Sequence, residues 1–533
     1  MFTKERVVIQ PQTQTRDYWV SRFSVTEEDI EHLYNFFLET EVPHKISELA
    51  RAIVSNRVDQ ERKEIERRLE GHTIYQPLKS YEVGEAVIFP SLKFATGEVS
   101  GVRQGYNPEH GTFRVFSVEV NGREREFAAE LESDHPLNQD ASVLLSRLEN
   151  IDVDEIYSLY SQAVEDNITK VLKAHEGFIQ LGNDWFVKAL LAEVNIGHLH
   201  LAEAVLDMNG GGPLTPEEVV VHLELPENLK PEVLQFSLNY ALLNDERFDE
   251  VAPAKQVAWF LRRMEPEEVR HTPERLVYNN IPYDRALLSP QLRLLERELD
   301  DEWSEIEVPL LSQNLILTLN YPHRWAGTLP LNASTRTLFP VGRSPRQIIT
   351  LIDEENGDEI KVWAVVEGRY IFGLKDWYEE HRIPVGGFIS LRASAEPGQI
   401  ILNYDRRSDK REWVRLATAE DGRIHFDLER RSVGCRYDDL MIVGTDYINA
   451  VDALFRKANK NQRPLVSLLA EIVPELAAMT PQNTVHAKTI YSAVNMLRRV
   501  PPGPVFAELV RHPAFRAVGD QYWQFDSSRW REG

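Results

Sequence analysis

A single cysteine, Cys435, stands in 533 residues, so the chain can form no internal disulfide and no cysteine-rich zinc site. Such usage fits a reducing compartment, and a cytoplasmic location is expected. Long apolar runs are missing as well. None approaches the roughly 18 residues that a membrane-crossing helix needs, and the opening MFTKERVVIQPQTQ has no apolar signal core. No membrane partner is expected. Positive charge is scarce: 60 Lys and Arg face 84 Asp and Glu, a formal balance of −24. The chain as a whole therefore repels nucleic acid, and a DNA contact has to come from a locally basic module.

Catalytic and metal-binding patterns are equally thin. Asp353 with Glu359-Ile360-Lys361 has the residue types of a metal-dependent nuclease. The two acids flank Asn356-Gly357, a tight hairpin signal, so solvated turn residues are expected there. His198, His200 and Glu203 could share a zinc ion, but no fourth ligand is near, and the polar edge of a helix is the simpler reading. Gly210-Gly211-Gly212 runs into Pro213 rather than a Lys-Ser/Thr helix start, which makes a flexible turn and not a phosphate loop. Cys435 reads as a small core thiol. The chain is read as a non-enzyme that needs no cofactor and no metal.

What is present is a recurring exit. ALLNDERFDEVAPAKQVAWFL and ELVRHPAFRAVGDQYWQF each read as a helix, a Phe-x-x-Val, a turn and an aromatic strand. That is the helix-to-hairpin end of a winged helix-turn-helix, and it predicts buried Phe248, Val251, Phe515 and Val518. Residues 1–80 read as a further winged helix, with TEEDIEHLYNFFLE, HKISELARAIVS and DQERKEIERRLEG as three helices stopped at Gly71. Residues 81–135 change to a period of two and predict a small barrel of about five strands, with one turn at Asn121-Gly122. Residues 136–190 read as a helical, acidic connector. A second winged helix spans 191–270, with LTPEEVVVHL capped by Thr215 and opened by Pro216. Residues 271–310 read as an acidic helical linker, residues 311–445 as a β-rich domain, and residues 446–533 as the C-terminal winged helix with its wing turned at Gly519-Asp520. The fold class is α+β, multi-domain.

Three resemblances accompany these patterns. The order AEAVL, PLT, EE, a third helix and RFDEV in the middle module resembles the HARE-HTH winged-helix family, found also in the RNA polymerase delta subunit. VGEAVIFP followed by GEVSGV resembles SH3-like, polymerase-interacting domains of the CarD type. GLKDWYEEHRIPVGGFISL resembles the closing half of the plant DNA-binding pseudobarrel, with Gly387 where that family has Asp. Together they imply a transcription- or DNA-associated factor with RNA polymerase or another protein as partner.

Local charge distributes the nucleic-acid expectation. Residues 184–270 hold 7 Lys/Arg and 16 Asp/Glu, a balance of −9, whereas residues 446–533 hold 11 and 8, a balance of +3. Double-stranded DNA is therefore expected only at the C-terminal winged helix, through Lys488, Arg498, Arg499, Arg511 and Arg516, as phosphate contacts. A sequence-specific regulator, an accessory or specificity subunit of a restriction or repair system, and a structural scaffold are the alternatives.

Overall fold

The computed structural model describes residues 11–69, 72–92, 95–120, 122–132, 135, 137–138, 152–226, 228–253, 256–304, 314–339, 344–396 and 399–531. The expected stop at Gly71, the turn residue Asn121, and residues 139–151 and 305–310 of the expected connector and linker lie outside them. The protein mixes helices with six separate sheets among the described residues. It divides into two compact units, residues 1–194 with 225–240, and residues 195–224 with 241–533.

In the first unit, helix α1 (Glu27–Thr40) starts where the Thr26 N–H donates to the Asp29 carboxylate at 2.8 Å, one half of a capping box. Strand β1 (His44–Lys45) leads into α2 (Ile46–Leu69). Two helices were expected over this last stretch. No Gly or Pro lies between Ser55 and Asp59, so nothing interrupts the backbone ladder and one helix results. The third helix comes much later, as α3 (Val153–Ala174), capped by the Asp152 carboxylate. It carries Val164, Ile168 and Leu172 at i, i+4 and i+8 into the core formed by Phe37, Leu49 and Ile53. A hairpin follows, β7 (Phe178–Leu181) and β8 (Asp184–Val187). β8 pairs with β1, His44 opposite Trp185, and gives the order β1-β8-β7. The expected acidic connector thus supplies the third helix and the hairpin of the first module.

Between α2 and α3 stands the five-stranded element, β2 (Thr73–Ile74), β3 (Ala86–Phe89), β4 (Ala95–Asn107), β5 (Gly111–Val120) and β6 (Arg123–Ala129), in sequence order. Its core is aromatic: Tyr75, Tyr81, Phe89, Phe116 and Phe127 pack with centroids 4.3–6.3 Å apart, mostly tilted to one another. Backbone bonds from Leu131 to Pro77 at 2.9 Å and from Glu130 to Lys79 at 3.0 Å bring the last strand back to the first.

The second unit opens with α4 (Ile196–Met208) and α5 (Pro216–Val220), the latter in a Thr215–Glu218 capping box. Helix α6 (Pro231–Leu243) gives residues 231–240 to the first unit, where Phe236 meets Phe186 edge-on at 5.5 Å. The hairpin β9 (Phe248–Glu250) and β10 (Trp259–Leu261) belongs to the second unit, and Leu214 bridges Trp259 on its far side. The glycine turn before it is packed rather than loose. At Gly212, with φ of 119°, a Cβ would lie 2.5 Å from the Trp259 carbonyl oxygen.

After α7 (Pro290–Leu299) comes a seven-stranded sheet. Its strands are β11 (Asn314–Thr318), β12 (Thr328–Pro330), β13 (Arg346–Asp353), β14 (Glu359–Val365), β15 (Tyr370–Phe372), β16 (Phe388–Ala393) and β17 (Gln399–Tyr404), in the order β11-β16-β17-β13-β14-β15-β12. The two edge strands are neighbours in sequence, joined only by residues 319–327, which contain α8 (Tyr321–Ala326). Laid flat, those edges would stand about 29 Å apart at ~4.8 Å per strand. A six-residue helix spans only about 9 Å, so the sheet has to coil, and it forms a half-barrel. Helix α9 (Lys375–Glu380) places Trp377 and Tyr378 in its core. A long ribbon follows, β18 (Arg406–Glu420) with β19 (Arg423–Cys435), joined on one side by β20 (Val443–Gly444). Cys435 is buried, and burial pushes its thiol up to about 11.

The C-terminal module runs α10 (Ile448–Lys460), α11 (Leu465–Ala478), β21 (Val485–His486), α12 (Ala487–Val494), α13 (Pro502–Arg511), β22 (Phe515–Gly519) and β23 (Tyr522–Phe525). Its sheet order, β21-β23-β22, repeats the first-third-second arrangement of β1-β8-β7. Phe248, Val251 and Phe515 are buried, but Val518 is 44% exposed. A register shift between Ala517 and Gly519 turns it outward. Phe248→Ala and Phe515→Ala should each lower unfolding stability by about 3–5 kcal/mol, and Val518→Ala should stay within about 0.5 kcal/mol. Denaturant titration measures all three; a loss at Val518 equal to that at Phe515 contradicts this register.

Candidate nucleic-acid interface

The five cations expected at DNA divide into three environments. Lys488, in the first turn of α12, is buried, and its Nζ donates to Glu298 Oε1 at 2.5 Å and Asp438 Oδ2 at 2.7 Å. Burial alone would lower its pKa; the two carboxylates outweigh that and raise it. Arg499 is fully buried. Its Nη2 donates to Asp301 Oδ1 at 2.8 Å and Glu302 Oε1 at 2.6 Å, and its Nη1 to Asn495 Oδ1 at 3.1 Å. Arg498 gives its guanidinium to the Arg463 carbonyl at 2.6 Å. Only Arg511 and Arg516 are exposed. Arg511 forks onto Glu508 at 2.9 Å, and Arg516 donates to Gln524 across the hairpin at 2.5 Å. The expected set is therefore not one surface, because two of its members are internal counterions.

A continuous buried network surrounds Arg499. The Tyr491 hydroxyl donates to Asp301 Oδ2 at 2.6 Å, and Glu302 Oε2 lies 3.0 Å from His323 Nε2. His323 Nδ1 reaches Thr328 Oγ1 at 2.8 Å. Burial pushes the Asp301 carboxyl up, whereas Glu302, though as deeply buried, is held below the usual range by Arg499 and His323. The acids come from the stretch expected to be a solvated linker. That stretch is instead a strap: Glu296, Asp301 and Glu302 are buried, and Arg275 is buried between Asp452, the Met496 carbonyl at 2.8 Å and the Phe455 ring at 4.3 Å. The acidity was legible; the partners that take it inside were not.

The strap covers helix α13. Pro502, Gly503, Pro504, Val505, Phe506 and Ala507 are all buried, and a Cβ on Gly503 would sit 2.3 Å from the Tyr283 hydroxyl and 2.7 Å from Glu296 Oε1. Beside it, a cleft of about 620 Å³ opens between Ser289 and Leu292 on one side and Phe515, Arg516 and Trp523 on the other, with Arg529 in its wall. Arg516 and Arg529 line that cleft, while Arg456, Lys457 and Lys460 of the same module are exposed on α10.

The middle hairpin is committed as well. The Ile348 N–H of β13 donates to the Val251 carbonyl at 2.7 Å, Phe260 meets Trp363 edge-on at 5.0 Å, and Arg346 bridges Asp249 and Glu265 at 3.0 Å each. Burial and the nearby Asp249 push Glu265 up to about 7. His198 Nδ1 lies 3.2 Å from the Asn195 N–H at the start of α4, and His200 and Glu203 both hold Arg247, at 3.1 and 2.7 Å. Asp353 is not a solvated turn residue. It is buried and accepts from Trp377 Nε1 at 2.8 Å, with His381 Nε2 at 3.1 Å. The β13–β14 connection is correspondingly longer than a two-residue turn, residues 354–358.

One exposed element escaped the sequence reading. Asp421-Gly422, both with positive φ, make the two-residue turn of the β18–β19 ribbon. That dipeptide was the available signal. The ribbon's outer face carries Arg411, Trp413, Leu428 and Arg430.

No protein family, curated protein or solved structure matches this chain.

Arg499→Met leaves two buried carboxylates without their cation, and should cost about 3–5 kcal/mol. In that variant both acids titrate above their unfolded pKa of about 4. Such groups destabilise the fold as pH rises through that window, so the loss should be largest near pH 8 and shrink near pH 5. Urea unfolding at both pH values measures this, and Arg511→Met should change little at either. An Arg499→Met loss independent of pH contradicts the ionised network.

Proposed function

We propose that the protein is a non-enzymatic, modular transcription- or DNA-associated factor that acts through a protein partner such as RNA polymerase. Its two complete helix-strand-helix-helix-hairpin modules share the first-third-second strand order, and the middle module repeats the chain order with Leu214 in the place of the first strand. We read all three as winged helices, the middle one of HARE-HTH type, and the five-stranded element as the SH3-like barrel. The half-barrel is read as the pseudobarrel.

The observation that favours a protein partner over sequence reading is the covered helix α13. In a DNA-reading winged helix this third helix enters the major groove. Here residues 502–507 are buried, and Lys488 and Arg499 are neutralised by four carboxylates, Glu298, Asp438, Asp301 and Glu302. Two of the eleven cations behind the +3 balance of this module are thus held inside the fold.

Affinity capture of the tagged full-length protein from its native host tests the reading. RNA polymerase subunits should be retained at physiological salt, and random duplex DNA should not be retarded by the purified chain at the same salt. Capture of a nuclease or helicase instead would move the function to a restriction or repair accessory subunit. Tight binding of one duplex sequence over others would make the protein a sequence-specific regulator.

A further inference from the structure

The two faces of the β18–β19 ribbon differ: one carries buried Val414, Leu416 and Val433 among exposed charges of both signs, Lys410, Asp427, Glu429 and Arg431. Strand alternation puts Val414 and Val433 on the inner face, buried in the half-barrel core with Cys435. The outer face over the same residues carries Arg411 opposite Ser432, Trp413 opposite Arg430, and the exposed Leu428. Of ten tryptophans, Trp413 is the one left exposed, at 56%. The Arg430 guanidinium stands over its ring at 5.2 Å. Among the described residues neither Arg411 nor Arg430 is paired with a carboxylate, while Glu412 and Glu429, on the inner-face register, are engaged by Arg407 and Arg431. A cationic, aromatic face on a chain with a balance of −24 is complementary to an anion that also offers flat apolar surface.

We propose that this outer face binds single-stranded nucleic acid, with a base stacked on Trp413 and the flanking phosphates held by Arg411 and Arg430. An unpaired base presents its whole π face to an exposed indole, whereas a duplex shows only base edges in its grooves. An acidic polypeptide satisfies the arginines but leaves the indole without a planar partner. The inner-face valines fix the ribbon on the half-barrel core, so the platform is preformed. Single-strand binding at this face is separate from the partner-based function and is expected whether or not polymerase is captured.

Fluorescence anisotropy of a labelled oligothymidylate of about 15 nucleotides, a length within known single-strand site sizes, tests it on the full-length protein. The wild type should bind the oligonucleotide in preference to a random duplex. Trp413→Ala should weaken binding by about tenfold or more, and Trp413→Phe should keep most of it. Arg411→Gln with Arg430→Gln should lower the slope of log affinity against log salt by about 1.4. All three positions are exposed, and unchanged melting curves should accompany each variant. Absence of binding by the wild type overturns the proposal. So does unchanged affinity in Trp413→Ala, or displacement by polyglutamate as effective as by unlabelled oligothymidylate, which marks a surface that recognises charge alone.

Discussion

Arg499 holds a full positive charge out of water, and its two carboxylate partners, Asp301 and Glu302, are equally enclosed. Three buried charges are tolerated only when every one meets an opposite charge or a hydrogen bond. Tyr491, Asn495, His323, the Trp303 N–H and the Val500 carbonyl add further contacts, and Arg499 Nε is left without a partner among the described residues. The network joins the C-terminal module through Arg499 and Tyr491, the half-barrel through His323 and Thr328, and the strap through its two acids. Arg369 adds a bond to the Glu302 carbonyl at 3.0 Å and covers Trp303 at 4.5 Å. Strap, half-barrel and final module of the second unit are thereby tied at one point, and they cannot exchange partners without exposing that charge set.

The same interaction changes the meaning of a familiar arrangement. In a winged helix, the class proposed for these modules, the third helix ordinarily faces a duplex. Here α13 of the C-terminal module packs against the strap, and the hairpin of the middle module packs against β13 through Val251, Phe260 and Arg346. Outward-facing chemistry is left to other elements, the β18–β19 ribbon first among them.

Much of this was legible where local rules decide. The capping at Thr215 and the buried Phe248 and Phe515 follow from spacing and residue type. What escaped depends on distant partners. α3 lay in an acidic stretch whose inward stripe of Val164, Ile168 and Leu172 becomes informative only beside Phe37 and Ile53. Lys488 and Arg499 read as surface cations because their counterions, Glu298 and Asp301, lie about 190 residues away in sequence. Net charge sums over a module; it does not say which charges face water. Val518 failed for a smaller reason, a one-residue register shift in its own hairpin.

The five-stranded element sits between the second and third helices of the first module, so His44 finds Trp185 only after that whole insertion has been made. During synthesis, β1 and α2 therefore emerge long before the strand and helix that complete their core. The five-stranded element has no such wait. Its strands pair in sequence order, and its entry and exit meet at the Pro77–Leu131 bond of 2.9 Å. Once folded it turns a long excursion of chain into a short closed one, which lowers the entropy cost of bringing α3 back to α1 and α2. The connectivity thus lets the inserted element close on its own strands before the strand and helix that complete the enclosing module have been made.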